Sequence, residues 1–366
     1  MNRESYAIVL SGGGAKGAYQ VGVLQALAEM DIHISAVSGA SIGSLNGAIV
    51  ASANDTKDAY QRLDQLWTTL GETNVLEVDS MGLIHLLAMI GLKKTAVGKL
   101  MDLGSSLFSK SPLLGSDFVA EKKRMLENAS LLKDSPLQTL MEHYLLPEAL
   151  AKGLPLYISL FHSYGLLEDF GMGIAGSFRW QEIFGVDTPK SEFMHVQSLP
   201  QEQQTSALLA SAAIPLFFKT KELEGKCFAD GGMGGMAKSQ GNTPIQPLID
   251  AGYKNIIVTH LNDASLWSRW DFPKDVHVLE IRPQEESFGG LMDMVRFDPV
   301  QISKLKQRGY ADTLYCIGKA LGFVKTFQKL EQHKRLLEVA TQASEASDKL
   351  RDQAAMRWKS LLKTQG

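Results

Sequence analysis

The sequence predicts an α/β fold: a three-layer sandwich with a mostly parallel central sheet and a C-terminal helical extension. Three observations carry this. The apolar run Tyr-Ala-Ile-Val-Leu at residues 6–10 stops at glycines. A second run at 32–37 stops at Gly39. Each is followed by residues at helical spacing, and strand–loop–helix repeated twice makes a parallel sheet with helices on its faces.

The elements follow in order. A strand over residues 6–10 has no polar alternation, as expected of a strand buried on both faces. Residues 11–14 form a glycine loop. Residues 17–30 carry Val21, Leu24, Leu27 and Met30 at helical spacing. The second strand spans 32–37, and a helix follows over 42–51. Residues 56–150 read as mostly helical, with Leu63, Leu66, Trp67 and Leu70 on one stripe. Residues 154–164 and 191–196 are β-prone, and 165–187 read as loops and a hairpin. A short alanine-rich helix is expected over 206–214, stopped by Pro215. Strands follow at 255–260 and 275–281, and the chain is helical again from Pro299.

Residues 329–362 read as a long charged helix. Leu336, Ala343 and Leu350 fall seven apart, and Val339 and Ala346 repeat the offset. The expected organisation is a main domain over 1–320, with a helical insertion at about 70–150, and a helical extension over 321–366.

Of the 366 residues, 45% are apolar and 21% charged, enough for an ordinary core. The net charge of -3 lacks the basic excess of a nucleic-acid-binding domain, so no nucleic-acid partner is expected. Cys227 and Cys316 form no CxxC pair. His33, His85, His143, His162, His195, His277 and His333 lack metal-ligand spacing, so neither a metal nor a cofactor is expected. The first apolar run is too short for a cleaved leader. The uncharged run at 80–92 is shorter than the ~20 residues a spanning helix needs. The expectation is a cytoplasmic protein with peripheral membrane contact; the oligomeric state is left open.

Gly39-Ala40-Ser41-Ile42-Gly43 fits G-x-S-x-G. A nucleophilic serine must project from a sharp strand-to-helix turn. Positions two before and two after it then nearly touch, which excludes side chains. The helix that begins there adds N–H groups and the positive end of a dipole. An apolar strand before Ser41 and helical spacing after it supply the setting the motif requires.

Gly12-Gly13-Gly14-Ala15-Lys16-Gly17 matches the dinucleotide pattern G-x-G-x-x-G, with Asp31 near the spacing of a ribose-binding acid. Asp31 precedes the second strand, however, whereas a ribose acid belongs at that strand's end. In parallel α/β folds the C-terminal strand ends line one crevice. The glycine loop then faces Ser41, and the N–H groups of Gly13 and Gly14 are placed to form an oxyanion hole.

A serine nucleophile needs a proton acceptor. Asp230, in Asp230-Gly231-Gly232, reads as a carboxylate presented at a strand end. His260 ends another strand and completes the chain order Ser41, Asp230, His260. Spacing does not separate a Ser-Asp-His triad from a Ser-Asp dyad.

The three motifs, in this order, resemble those of patatin-like phospholipases: glycine loop, G-x-S-x-G, then D-G-A/G. The segment from Ala210 to Phe218 is similar to a further block of that family. The resemblance covers roughly residues 5–260, with 70–150 unassigned. It implies a Ser-Asp dyad without histidine, in which Ser41 attacks an ester, Asp230 accepts its proton and the glycine loop binds the oxyanion. Lys16 is read either as adding positive charge near that oxyanion or a lipid phosphate, or as a solvated loop lysine. The implied partner is a lipid substrate and the implied reaction is hydrolysis of glycerolipid acyl esters. An acyltransferase or thioesterase using the same dyad is the alternative, and dinucleotide binding or scaffolding through the tail are more distant ones. Residues 81–108 combine leucines with Lys93, Lys94 and Lys99 and are read either as an interfacial lid or as a core helix.

Overall fold

The computed structural model describes residues 5–72, 143–164, 187–213, 221–223, 225–262, 267–284, 294, 296–320 and scattered positions from 334 to 356. The expectations for 81–108, for 165–186 and for the heptad positions of the tail lie outside the described residues. The chain divides into two compact units, residues 1–314 and 315–366. In the second unit the described positions from Lys334 to Met356 are helical and exposed.

The first unit is built on a mixed eight-stranded sheet. Its strands are β1 (Ser5–Leu10), β2 (His33–Gly39), β3 (Leu156–His162), β4 (Glu192–His195), β5 (Lys221–Leu223), β6 (Lys226–Asp230), β7 (Asn255–Thr259) and β8 (His277–Ile281). The order across the sheet is β5-β6-β3-β2-β1-β7-β8, with β4 also on β3. The five strands β3, β2, β1, β7 and β8 run parallel. β4, β5 and β6 add antiparallel pairings: β4 lies along one side of β3, and β6 pairs with the other side just beyond the end of β2.

The central strands are continuous apolar runs because both faces are covered. Ala7, Val9 and Ala36 pack with Ile245, Leu248, Ile256, Val258 and Trp267 on one face. On the other, Leu10, Val37 and Leu156 close around Gly47 of helix α2 (Ile42–Ala51). Alternate residues of β1 therefore feed two cores, which makes the three layers. Helix α1 (Ala18–Glu29) lies beside α3 (Thr56–Glu72), whose Leu63, Leu66, Trp67 and Leu70 are buried as the stripe predicts. The Asp55 carboxylate accepts from the Asp58 amide at 2.8 Å and caps the start of α3.

A helix over residues 299–320 begins where Pro299 predicts. Its Gly309 lies against the Tyr19 main chain, and Tyr19 donates to Asp312 at 3.0 Å. One helix differs from expectation. It spans Gln201–Ser211 and not 206–214. Its first turn, Gln201 to Gln204, is polar and has no apolar period, so the sequence pattern hides it. It stops at Ser211, before Pro215 is reached.

Candidate active site

The parallel register aligns three strand ends. Leu10 pairs with Gly39 on one side and with Thr259 on the other. The glycine loop, Ser41 and His260 therefore all leave the sheet at its C-terminal edge. Asp31 lies at the opposite edge, since β1 and β2 begin together at the Ser5–His33 pair.

Asp230 reaches that edge by another route. β6 runs antiparallel to β3 and ends there, with Asp230 opposite Leu160. In β3, Ile158 pairs with Gly39. Ser41 follows Gly39 by two residues, and Leu160 follows Ile158 by two. β4 fills the other side of β3, pairing with both Ile158 and Leu160, so β2 and β6 meet tip to tip along one side of β3 and bring serine and carboxylate to one level.

Ser41 has φ 53° and ψ -129°, a conformation costly for a residue with a side chain and held only by its surroundings. A Cβ on Gly39 would strike the Gly43 carbonyl, and one on Gly43 would strike the Leu10 carbonyl. This is the close approach expected of a nucleophile elbow. The first-turn amides are largely committed. Ser41 N–H donates to Ser211 Oγ at 3.3 Å, and those of Gly43 and Ser44 donate to Ala40 and Ser41 carbonyls at 2.8 Å. The sequence-based expectation that this helix end supplies free donors is therefore reduced.

The glycine loop retains them. Gly12 N–H donates to the Asn242 carbonyl and Lys16 N–H to the Gly13 carbonyl. The N–H groups of Gly13 and Gly14 meet no acceptor among the described residues. Gly14 has φ +59°, which glycine adopts without strain. The loop ends are pinned from within. Gln20 donates to the Ser11 carbonyl at 2.8 Å, and Asn46 donates to the Gly17 carbonyl at 3.1 Å and to Gln20 Oε1 at 2.8 Å. Trp67 Nε1 donates to Asn46 Oδ1 at 3.0 Å and completes that buried chain. Lys16, expected near the oxyanion, is itself buried.

Asp230 is 6% exposed and Ser41 4%. Oδ1 of Asp230 accepts the Gly232 amide at 2.8 Å, while Oδ2 is buried without a hydrogen bond among the described residues. Burial pushes the carboxyl up to about 6, opposed by the nearby Ser41 hydroxyl and then by the Gly232 amide. The hydroxyl is close enough to favour the anion but makes no short bond to Oδ2. Such gaps are common in unliganded catalytic sites.

His260 belongs to a different environment. It is 1% exposed, with Nε2 3.5 Å from Glu280 and its ring edge-on to Trp267 at 5.0 Å between centroids. Burial pushes its pKa down, against the pull of Glu280. Neither Ser41 nor Asp230 is among the groups that act on it.

Sequence reasoning missed Ser211, Ser159 and Asn242 as neighbours of the site. Asn242 Oδ1 would lie 2.6 Å from a Cβ on Gly12 and 2.7 Å from one on Gly232. Only Ser211 had a signal, its place in the segment from Ala210 to Phe218.

Residues 8–249, which include the glycine loop, Ser41 and Asp230, match the model of the family described as patatin-like phospholipase. The lysophospholipase nte1 of Aspergillus terreus is 43% identical over 68 residues, 19% of this chain and 4% of that protein. The lysophospholipase NTE1 of Cryptococcus neoformans is 38% identical over 76 residues, 19% of this chain and 5% of that protein. The matched stretch is thus a small part of either relative's length. Among solved structures, VipD from Legionella pneumophila aligns with 87% of this chain and 67% of its own, at 14% identity and a TM-score of 0.42. The family model spans more than half of the sequence, and the chain belongs to the patatin-like phospholipase family.

Proposed function

We propose that this protein hydrolyses acyl esters of glycerolipids, as a phospholipase A or esterase, through a Ser41–Asp230 dyad. The observation that carries the reading is the pairing of a strained, nearly buried serine with a buried carboxylate whose Oδ2 has no hydrogen bond among the described residues. Ser41 Oγ attacks the ester carbonyl carbon while its proton passes to Asp230 Oδ2. The carbonyl oxygen becomes an oxyanion facing the Gly13 and Gly14 N–H groups. The tetrahedral centre collapses, the C–O bond to the alcohol breaks, and Asp230 returns the proton to the leaving oxygen. Water then attacks the acyl-serine, giving its proton to Asp230, and the fatty acid leaves as Ser41 recovers its proton.

A carboxylate is a weak base for a hydroxyl, and burial offsets part of that weakness by raising its proton affinity. The geometry of His260 favours the dyad over the triad. The test is hydrolysis of phosphatidylcholine vesicles, followed as released fatty acid and lysophospholipid. Ser41→Ala should lose about a thousandfold or more in rate, while folded His260→Gln should stay within about threefold of wild type. A His260→Gln enzyme as inactive as Ser41→Ala would restore the triad. Transfer of the acyl group to an added alcohol in place of water would favour the acyltransferase alternative.

A further inference from the structure

The helix Gln201–Ser211 ends against both halves of the dyad. Ser211 is fully buried, and its oxygen accepts the Ser41 N–H at 3.3 Å. Its proton goes to the Ser159 carbonyl of β3 at 2.7 Å. A hydroxyl has one proton to give, so in the 2.7 Å contact with Ser44 it is Ser44 that donates. Two residues on, the Ala213 carbonyl accepts the Asp230 N–H at 2.9 Å. Ser159 then closes the circuit, donating to the Gly231 carbonyl at 2.9 Å, where Ser191 also donates at 2.7 Å.

We propose that Ser211 is a positioning residue, and that with Ala213 it forms one clamp fixing the main chain of Ser41 and of Asp230 at their working separation. The proposal rests on the dyad reading above. Its physical basis is that Ser41 and Asp230 come from strands that do not pair with each other. They meet only tip to tip along one side of β3, and the elbow conformation of Ser41 is one the chain does not keep unaided. The segment from Ser211 to Ala213 is a short piece of chain that touches both. Without the Ser211 oxygen the Ser41 N–H is buried without an acceptor, and the elbow relaxes away from the carboxylate. Side chains acting at this distance alter rates steeply, because a displacement of about 1 Å can cost about a hundredfold.

The test uses the full chain and p-nitrophenyl octanoate, with wild type, Ser211→Ala, Ser211→Cys and Ser41→Ala assayed together across pH 4.5–9. Folded Ser211→Ala should show kcat lowered about ten- to a hundredfold with KM within about twofold. The acid limb of kcat/KM should move to higher pH, because the hydroxyl that favours the Asp230 anion has moved off. Ser211→Cys, similar in size but a poorer acceptor, should fall between. A Ser211→Ala enzyme with wild-type kcat and acid limb, merely easier to unfold, would overturn the proposal and leave Ser211 a packing residue. If Ser211→Ala yields no folded protein, Ser211→Cys decides by the same two readouts. A fully active Ser41→Ala would defeat the dyad itself, whereas an inactive Ser41→Ala beside an unperturbed Ser211→Ala defeats only the clamp.

Discussion

Ser41 and Asp230 reach the same level from two strands that never pair with each other but end tip to tip along the same side of β3. The register explains why a serine after the second strand and an aspartate nearly two hundred residues later meet. It also leaves Oδ2 of Asp230 near the Ser41 hydroxyl and without a hydrogen bond among the described residues.

Catalysis should fail in acid. In the proposed dyad Asp230 acts as a base only when ionised, and burial holds its carboxyl at about 6. The plot of kcat/KM against pH should therefore fall tenfold per unit below about 6, with no further limb from His260. An acid limb near 4, the range of an exposed carboxylate, would contradict the burial argument. Initial rates on a soluble ester across pH 4.5–9 measure it.

The same burial costs stability. A carboxyl whose pKa is raised on folding binds its proton more tightly in the folded state. Its contribution is therefore fully present below the unfolded value near 4 and is lost as pH rises through about 6. Asp230→Asn removes that loss. It should raise stability at pH 8 by about 1–3 kcal/mol and make little difference at pH 4. Denaturant melts of both proteins at the two pH values check the sign, and destabilisation at pH 8 would count against it. The same variant should lose about a hundredfold or more in kcat.

The parts of the fold legible in the sequence were those with an unmixed signal. β1 and β2 are apolar runs ended by glycine, and α2 begins at Ile42 and ends at Ala51 as its spacing implies. Ser41 was legible because the elbow demands glycine at two fixed offsets. β6 was harder to see. It is five residues long, and Lys226 and Cys227 are exposed, so only Phe228 and Ala229 before Asp230 carry an apolar signal. Ser211, Ser159 and Asn242 were illegible for another reason. A serine or asparagine has no period, and its value here comes from partners brought in by tertiary packing. His260 misled in the opposite sense. Its strand end aligns with the site, but the side chain turns to Glu280 and Trp267.

Gly12 should tolerate no side chain. A Cβ there would stand 2.6 Å from Asn242 Oδ1 and 3.0 Å from the Ser41 Cβ. Either the loop or the elbow must move. Gly12→Ala should lower kcat by about a hundredfold, in the range expected for a damaged oxyanion site. Steady-state kinetics on a soluble ester, with circular dichroism to confirm folding, measure this. Unchanged kcat would show that the loop does not depend on this contact.

The loop also depends on Asn46. Asn46→Ala leaves Trp67 Nε1 without its acceptor and the Gly17 carbonyl without its donor. The expected loss is about 3 kcal/mol, read from a denaturant midpoint. A loss below about 0.5 kcal/mol would mean that the buried chain of hydrogen bonds contributes little.

The central claim is that Ser41 is the nucleophile. Its most direct measurement is treatment of the folded full chain with a fluorophosphonate, followed by intact mass and peptide mapping. The account predicts one phosphonyl group per chain, on Ser41, formed far more slowly in Asp230→Asn and not at all in Ser41→Ala. A label on another residue, or equal labelling of Ser41→Ala with its esterase activity intact, would contradict it.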